Sequence, residues 1–125
     1  MLDVAHNPAG AERLVEYLKS RGQPVVVVLG MLQDKAVAAF AGVLDCLDVE
    51  CWCLTSLPGP RGLSAKKLAN ILGSAAPMQC FEEPQAAFLA ARAAASTASV
   101  VLVTGSFLTV AAVLEITPAD DVEAL

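Results

Sequence analysis

A mostly parallel α/β sheet of about five strands, with helices on both faces, is the architecture this sequence predicts. Three observations carry the prediction. Short β-branched or apolar runs alternate with helix-length segments along the whole chain, the pattern of strands joined by crossover helices. The run Val25–Leu29 is apolar without a break, as suits a strand buried on both faces. Gly, Pro, Asn, Asp or Ser punctuates most changes of period.

The elements follow in order. Leu2–Ala5 reads as a short first strand. Asn7 is a preferred N-cap and Pro8 suits a first helical position, where its missing N–H has no partner to lose. The helix Pro8–Ser20 places Leu14, Val15 and Leu18 on one face, and Gly22 supplies its stop. Val25–Leu29 is the second strand. Asp34 caps a helix that turns Val37, Phe40, Ala41 and Leu44 inward. Glu50–Thr55 is the third strand, and Ser56–Gly62 is a loop rich in Pro and Gly. Ser64 caps a helix that runs through Leu72. Met78–Phe81 is the fourth strand, followed behind Pro84 by an Ala-rich helix, Gln85–Ala95. Val100–Thr104 is the fifth, and Gly105-Ser106-Phe107 turns the chain into a last helix, Leu108–Leu114. Residues 117–125 read as an acidic, solvated tail.

At 125 residues the chain reads as one domain, 1–125. With 56% hydrophobic and 17% charged residues it is too apolar for disorder. No apolar run reaches the roughly 18 residues of a membrane span, and Met1 is not followed by a secretory signal. The net charge is −5 and the few basic residues are dispersed, which argues against a nucleic-acid partner. The four cysteines, Cys46, Cys51, Cys53 and Cys80, lack C-x-x-C spacing and read as small core hydrophobes in a reducing cytoplasm. A strand through Cys51 and Cys53 puts both thiols on one face.

In a Rossmann-like sheet, ligands collect at the carboxyl ends of the strands. Four loops share that edge: Asp3–Pro8, Gly30–Asp34, Ser56–Gly62 and Gly105–Phe107. Asp3 and His6, the single histidine, sit on a strand-to-helix turn beside the positive end of a helix dipole, where a nucleotide or another anion can be held. No G-x-x-x-x-G-K-[ST] phosphate loop and no G-x-G-x-x-G occurs. Ser106 lacks the glycine that follows the nucleophile in a hydrolase elbow.

Four segments in order, LDVAHNPAGA (2–11), VVVVLGMLQDK (25–35), LPGPRGLSAKKLA (57–69) and VLVTGSFLTVAAVL (101–114), resemble one family. Together they are similar to the C-terminal domain of bacterial bifunctional dihydrofolate synthase/folylpolyglutamate synthase, in the Mur ligase superfamily. The D-x-A-H-N-P segment is shared across the superfamily. The G-M-L-x-D-K and G-S-F-x-T-V segments point to the folate branch. The resemblance implies a cytoplasmic ligase that uses ATP and Mg to phosphorylate a carboxylate of dihydropteroate or folate. The amine of L-glutamate then attacks the acyl phosphate. The phosphate loop, metal ligands and pterin site belong to an N-terminal ligase domain. The resemblance therefore implies a domain of a larger enzyme, inactive alone, with no residue of its own in the chemical step and no metal ligand.

Carried over residue by residue, Asp3 matches the aspartate that meets the nucleotide, where a carboxylate can accept ribose hydroxyls. His6 matches the histidine between nucleotide and glutamate, able to carry positive charge near neutral pH. Ser106 matches a serine for the incoming glutamate. Arg61 offers that glutamate a carboxylate-binding fork. Where many family members carry a histidine this chain has Leu108. Plainer roles stand beside these: Asp3 ending a strand, His6 hydrogen-bonded at a helix start, Ser106 and Asp34 as helix caps, Lys35 as first-turn surface and Arg61 as a solvated loop residue. Two other functions remain open: a free-standing α/β module that binds a small anion, and the C-terminal domain of a peptidoglycan Mur ligase.

Overall fold

The computed structural model describes residues 8–33 and 36–117. In chain order the elements are α1 (Pro8–Arg21), β1 (Val25–Leu29), α2 (Val37–Leu44), β2 (Val49–Thr55), α3 (Ala65–Leu72), β3 (Met78–Phe81), α4 (Pro84–Ala94), β4 (Val100–Thr104) and α5 (Phe107–Leu114). The strands form one parallel sheet in the order β3-β2-β1-β4. Four of the five expected strands are thus present among the described residues. The remaining one, Leu2–Ala5, lies outside them, as do the expected caps Asn7 and Asp34.

Local chemistry explains the boundaries. Gly22 and Gly73 take positive φ, 64° and 57°, at the ends of α1 and α3, a conformation that only glycine adopts without cost. The Ser64 hydroxyl accepts from the Lys67 N–H at 3.2 Å, satisfying one of the orphan donors of α3. Pro84 occupies the first turn of α4, so that helix starts one residue before the expected Gln85. Ser106 caps α5, which starts at Phe107 rather than Leu108. Ala36 precedes α2 and makes no side-chain cap.

The strand periodicity sorts the core into two layers. Val25, Val27 and Leu29 of β1 face α1, α2 and α3 together with Trp52, Leu54 and Leu102. Leu14, Val15 and Leu18 of α1, and Val37, Phe40 and Leu44 of α2, complete this layer. Val26, Val28, Cys53 and Val103 face Ala87, Phe88 and Ala91 of α4 and Val110 and Val113 of α5. Every residue of β1 is buried, which is what its unbroken valine run requires. The β1–β2 register shifts between Val25 and Val26: Val25 pairs with Val49, and Val26 with Cys51. Glu50 is the extra residue of a bulge. Val49 and Trp52 consequently lie in the same layer despite their odd spacing.

The cysteines need a correction. Cys53 is buried and Cys51 partly so, both in the α4–α5 layer, but Cys46 and Cys80 are exposed. Cys46 falls just past the end of α2, and Cys80 lies on β3, whose residues are at best half-buried. A preference for burial yields where the element carrying the residue is at the margin of the core.

Candidate functional site at the carboxyl edge of the sheet

The chain moves outward from β1 to β2 to β3, then crosses back through α4 to place β4 on the other side of β1. The order reverses between β1 and β4, which makes their carboxyl ends the switch point where ligands bind in sheets of this architecture. Gly30 follows β1, and Gly105 and Ser106 follow β4.

Small residues bring these two loops into contact. The Gly30 N–H donates to the Thr104 carbonyl at 3.4 Å, extending the β1–β4 ladder by one bond. Thr55, Thr104 and Thr109 are fully buried behind this edge and Ser106 is 6% exposed. The Thr109 hydroxyl donates to the Gly30 carbonyl at 2.9 Å. Ser106 Oγ accepts from the Leu108 N–H at 3.2 Å, and its carbonyl accepts from the Thr109 N–H at 3.1 Å. A hydroxyl has one donor and two acceptor sites. Ser106 uses an acceptor for the cap, and among the described residues no acceptor takes its hydroxyl hydrogen. The first turn of α5 contains no acidic residue, so the positive end of its dipole is not neutralised there.

A second pair of loops is joined by main-chain hydrogen bonds. Leu32 and Gly62 form an antiparallel bridge. The Leu63 N–H donates to the Met31 carbonyl at 3.0 Å, and the Gln33 N–H to the Arg61 carbonyl at 2.6 Å. The loop after β2 closes on itself through Leu57 N–H to the Leu63 carbonyl at 3.1 Å and Gly62 N–H to the Gly59 carbonyl at 3.2 Å. Gly62 is required, because a Cβ there would lie 2.0 Å from the Leu57 carbonyl oxygen. Ser56 Oγ receives the Ala65 N–H at 2.9 Å and so ties the start of α3 to the same loop. The structure uses the Arg61 backbone as an anchor and leaves the residue exposed.

Of the four site residues expected from sequence, Ser106 and Arg61 are therefore placed on the carboxyl edge, linked through the loop after β1. Asp3 and His6 lie outside the described residues. Thr109 is the threonine of the G-S-F-x-T-V segment, to which the sequence assigned no role of its own. Its signal was the hydroxyl three residues beyond Ser106, at a position of α5 where helical spacing demands an apolar side chain. Among the described residues no three His, Cys, Asp or Glu side chains gather as metal ligands. The hydroxyl, the helix start and the exposed guanidinium suit a carboxylate or phosphate oxygen.

Residues 1–107 match the family described as Mur ligase, glutamate ligase domain. The chain is 40% identical over 118 residues to the dihydrofolate synthase/folylpolyglutamate synthase of Escherichia coli K12, covering 93% of this chain and 27% of that protein. It superposes on the structure of E. coli FolC in complex with DHPP and ADP with a TM-score of 0.84 and 39% identity, over 95% of this chain and 28% of that one. It also superposes on a bifunctional folylpolyglutamate synthase/dihydrofolate synthase with Mn, AMPPNP and L-glutamate bound, with a TM-score of 0.82 and 41% identity, over 92% of this chain and 28% of that one. The chain thus spans just over a quarter of the length of these relatives.

Proposed function

The chain belongs to the Mur ligase family, glutamate ligase domain, and from that premise we propose that it serves an ATP-dependent ligase that joins L-glutamate to dihydropteroate or folate. The observation that carries this reading is the buried Ser106 hydroxyl, whose hydrogen meets no acceptor among the described residues, at the start of α5 and on the sheet edge where ligands bind in open α/β sheets. The relatives supply the ligand chemistry: ADP and DHPP in one complex, AMPPNP, Mn and L-glutamate in another. Identity of 40% to a folate enzyme supports the folate branch over peptidoglycan-type ligases.

In this reading Ser106 donates to a carboxylate oxygen of glutamate, and Arg61 neutralises its charge from the neighbouring loop. Asp3 meets the ribose of ATP, and His6 stands between nucleotide and glutamate. With ATP and Mg bound, the acceptor carboxylate would take the γ-phosphoryl group and release ADP, and the glutamate amine would then displace phosphate to form the amide. In this reading the metal ligands, the phosphate loop and the pterin site belong to an N-terminal ligase domain acting in cis. The chain alone then folds without catalysing, because orientation and charge stabilisation of the transfer need both domains. The four unpaired thiols suit a reducing cytoplasm.

Fusion of residue 1 to the N-terminal ligase domain of the E. coli relative tests the reading. Glutamate-dependent ADP release with a folate acceptor is expected, and Asp3→Ala should raise the KM for ATP. An Asp3→Ala fusion with unchanged kinetic constants removes Asp3 from the site. Micromolar nucleotide binding by the chain alone would instead favour a free-standing anion-binding module.

A further inference from the structure

We propose that Thr109 is a positioning residue for the amino-acid substrate: its buried hydroxyl sets Ser106 in register with the loop after β1, and through that loop with Arg61. The inference rests on Ser106 and Arg61 serving glutamate, as proposed above.

Thr109 lies on the face of α5 that also buries Val110 and Val113. Burial alone would be served as well by valine, which has the same shape and no polar atom needing a partner. A helical threonine commonly returns its hydroxyl to a carbonyl of its own helix, one turn back. Thr109 instead donates across 79 positions of chain to the Gly30 carbonyl, at 2.9 Å. Its N–H meanwhile donates to the Ser106 carbonyl at 3.1 Å. One residue therefore holds the Ser106 turn by its main chain and the end of β1 by its side chain.

Gly30 is shaped for this bond. A Cβ there would lie 2.7 Å from Thr109 Oγ1 and 2.7 Å from Thr55 Cγ2. From Gly30 the connection runs one residue on to the Met31 carbonyl, which receives the Leu63 N–H, and then to Gln33, whose N–H reaches the Arg61 carbonyl. These later bonds are main-chain bonds that side-chain substitution leaves in place. The Thr109 hydroxyl is a side-chain link that ties the first turn of α5 to them. Hydrogen bonds weaken steeply with misalignment, so a small shift of that turn detunes Ser106 without unfolding the helix.

The test uses the fusion with the N-terminal ligase domain. Thr109→Val keeps the volume and deletes the donor, and Thr109→Ser keeps the donor. The expected result is a glutamate KM raised about tenfold in Thr109→Val, the worth of roughly one hydrogen bond. The kcat and the KM for ATP should stay near parental values, and Thr109→Ser should restore the glutamate KM. A purely structural threonine would lower the thermal midpoint and leave the glutamate KM alone. An unchanged glutamate KM in Thr109→Val, an equal rise in the KM for ATP, or no restoration by serine would each overturn the proposal. Thr109→Ala deletes the same donor without adding bulk and gives the same reading should the valine variant not fold. A parent fusion without glutamate-dependent turnover removes the functional reading and this inference together; an active parent with an indifferent Thr109→Val removes this inference alone.

Discussion

Gly105 and Gly30 meet across the β1–β4 junction with no space for a side chain: a Cβ on Gly105 would stand 2.5 Å from the Gly30 carbonyl oxygen. Gly105 also has φ +108°, a backbone conformation that L side chains rarely adopt. Strain and overlap act together at one position. Gly105→Ala is expected to destabilise the fold by at least about 2 kcal/mol, read as a lower urea midpoint with an unchanged slope. Gly42 is the internal contrast. It lies within α2 with nothing within 4 Å of a built Cβ, so Gly42→Ala should stabilise by about 0.5–1 kcal/mol.

The single tryptophan is held by a relay of hydroxyl and carboxylate. Trp52 Nε1 donates to Ser74 Oγ at 3.1 Å, and the Ser74 hydroxyl donates to Asp45 Oδ1 at 2.7 Å. Trp52 is fully buried, so its N–H must be satisfied inside the protein. Ser74→Ala strands that donor and should cost about 1–3 kcal/mol. Asp45→Asn keeps an acceptor for Ser74 and should cost less. Denaturation followed by Trp52 fluorescence ranks the two, and equal losses would show that the relay ends at Asp45 rather than at Ser74.

The cysteines predict both reactivity and pH dependence. The exposed Cys46 and Cys80 should react rapidly with a thiol reagent, Cys51 slowly, and Cys53 on unfolding. Burial pushes the Cys53 thiol up from 9.0 to about 12, aided by its neighbour Cys51. Below pH 9 both folded and unfolded chains keep this proton, and its contribution to stability is complete. Above pH 9 the unfolded chain releases the proton while the folded one retains it, so stability falls as pH rises toward 12. Cys53→Ala should lower the midpoint at pH 7 by leaving a cavity, yet flatten its decline between pH 9 and 11. A decline as steep as the parent's would assign the alkaline sensitivity to other groups.

Ser106 and Arg61 should separate stability from binding. Ser106→Ala removes the cap of α5 and should cost about 0.5–2 kcal/mol, together with a raised glutamate KM in the fusion enzyme. Arg61→Ala leaves the anchoring carbonyl in place on an exposed residue, so the midpoint should hold while the glutamate KM rises. A fall in thermal midpoint without a change in KM would reduce Arg61 to scaffold.

Much of this was legible in the sequence because local rules and tertiary burial agree. The valine run of β1, the inward Val37, Phe40, Ala41 and Leu44 of α2, and the capping serines Ser64 and Ser106 stand as periodicity and capping predict. Cys46 and Cys80 did not follow their type preference, because whether a position is core depends on which neighbours cover it. The role of Thr109 within the G-S-F-x-T-V segment was not legible for a related reason. Its position in the helix was readable, but its acceptor lies 79 residues away and is set by the packing of α5 on β1.

The sequence by itself determined the strand–helix alternation, the two faces of the core and, among the described residues, the loops after β1, β2 and β4 that share the sheet edge, since each depends on residue spacing along a regular element. Only the tertiary structure decided that β4 lies beside β1, that Gly30 and Gly105 touch, and that the Ser106 turn and the Arg61 loop are joined through residues 30–33. These contacts join segments distant in the chain. They exist because burying the apolar faces of β1 and β4 leaves the adjoining backbone groups no water, so each must find its partner across the junction.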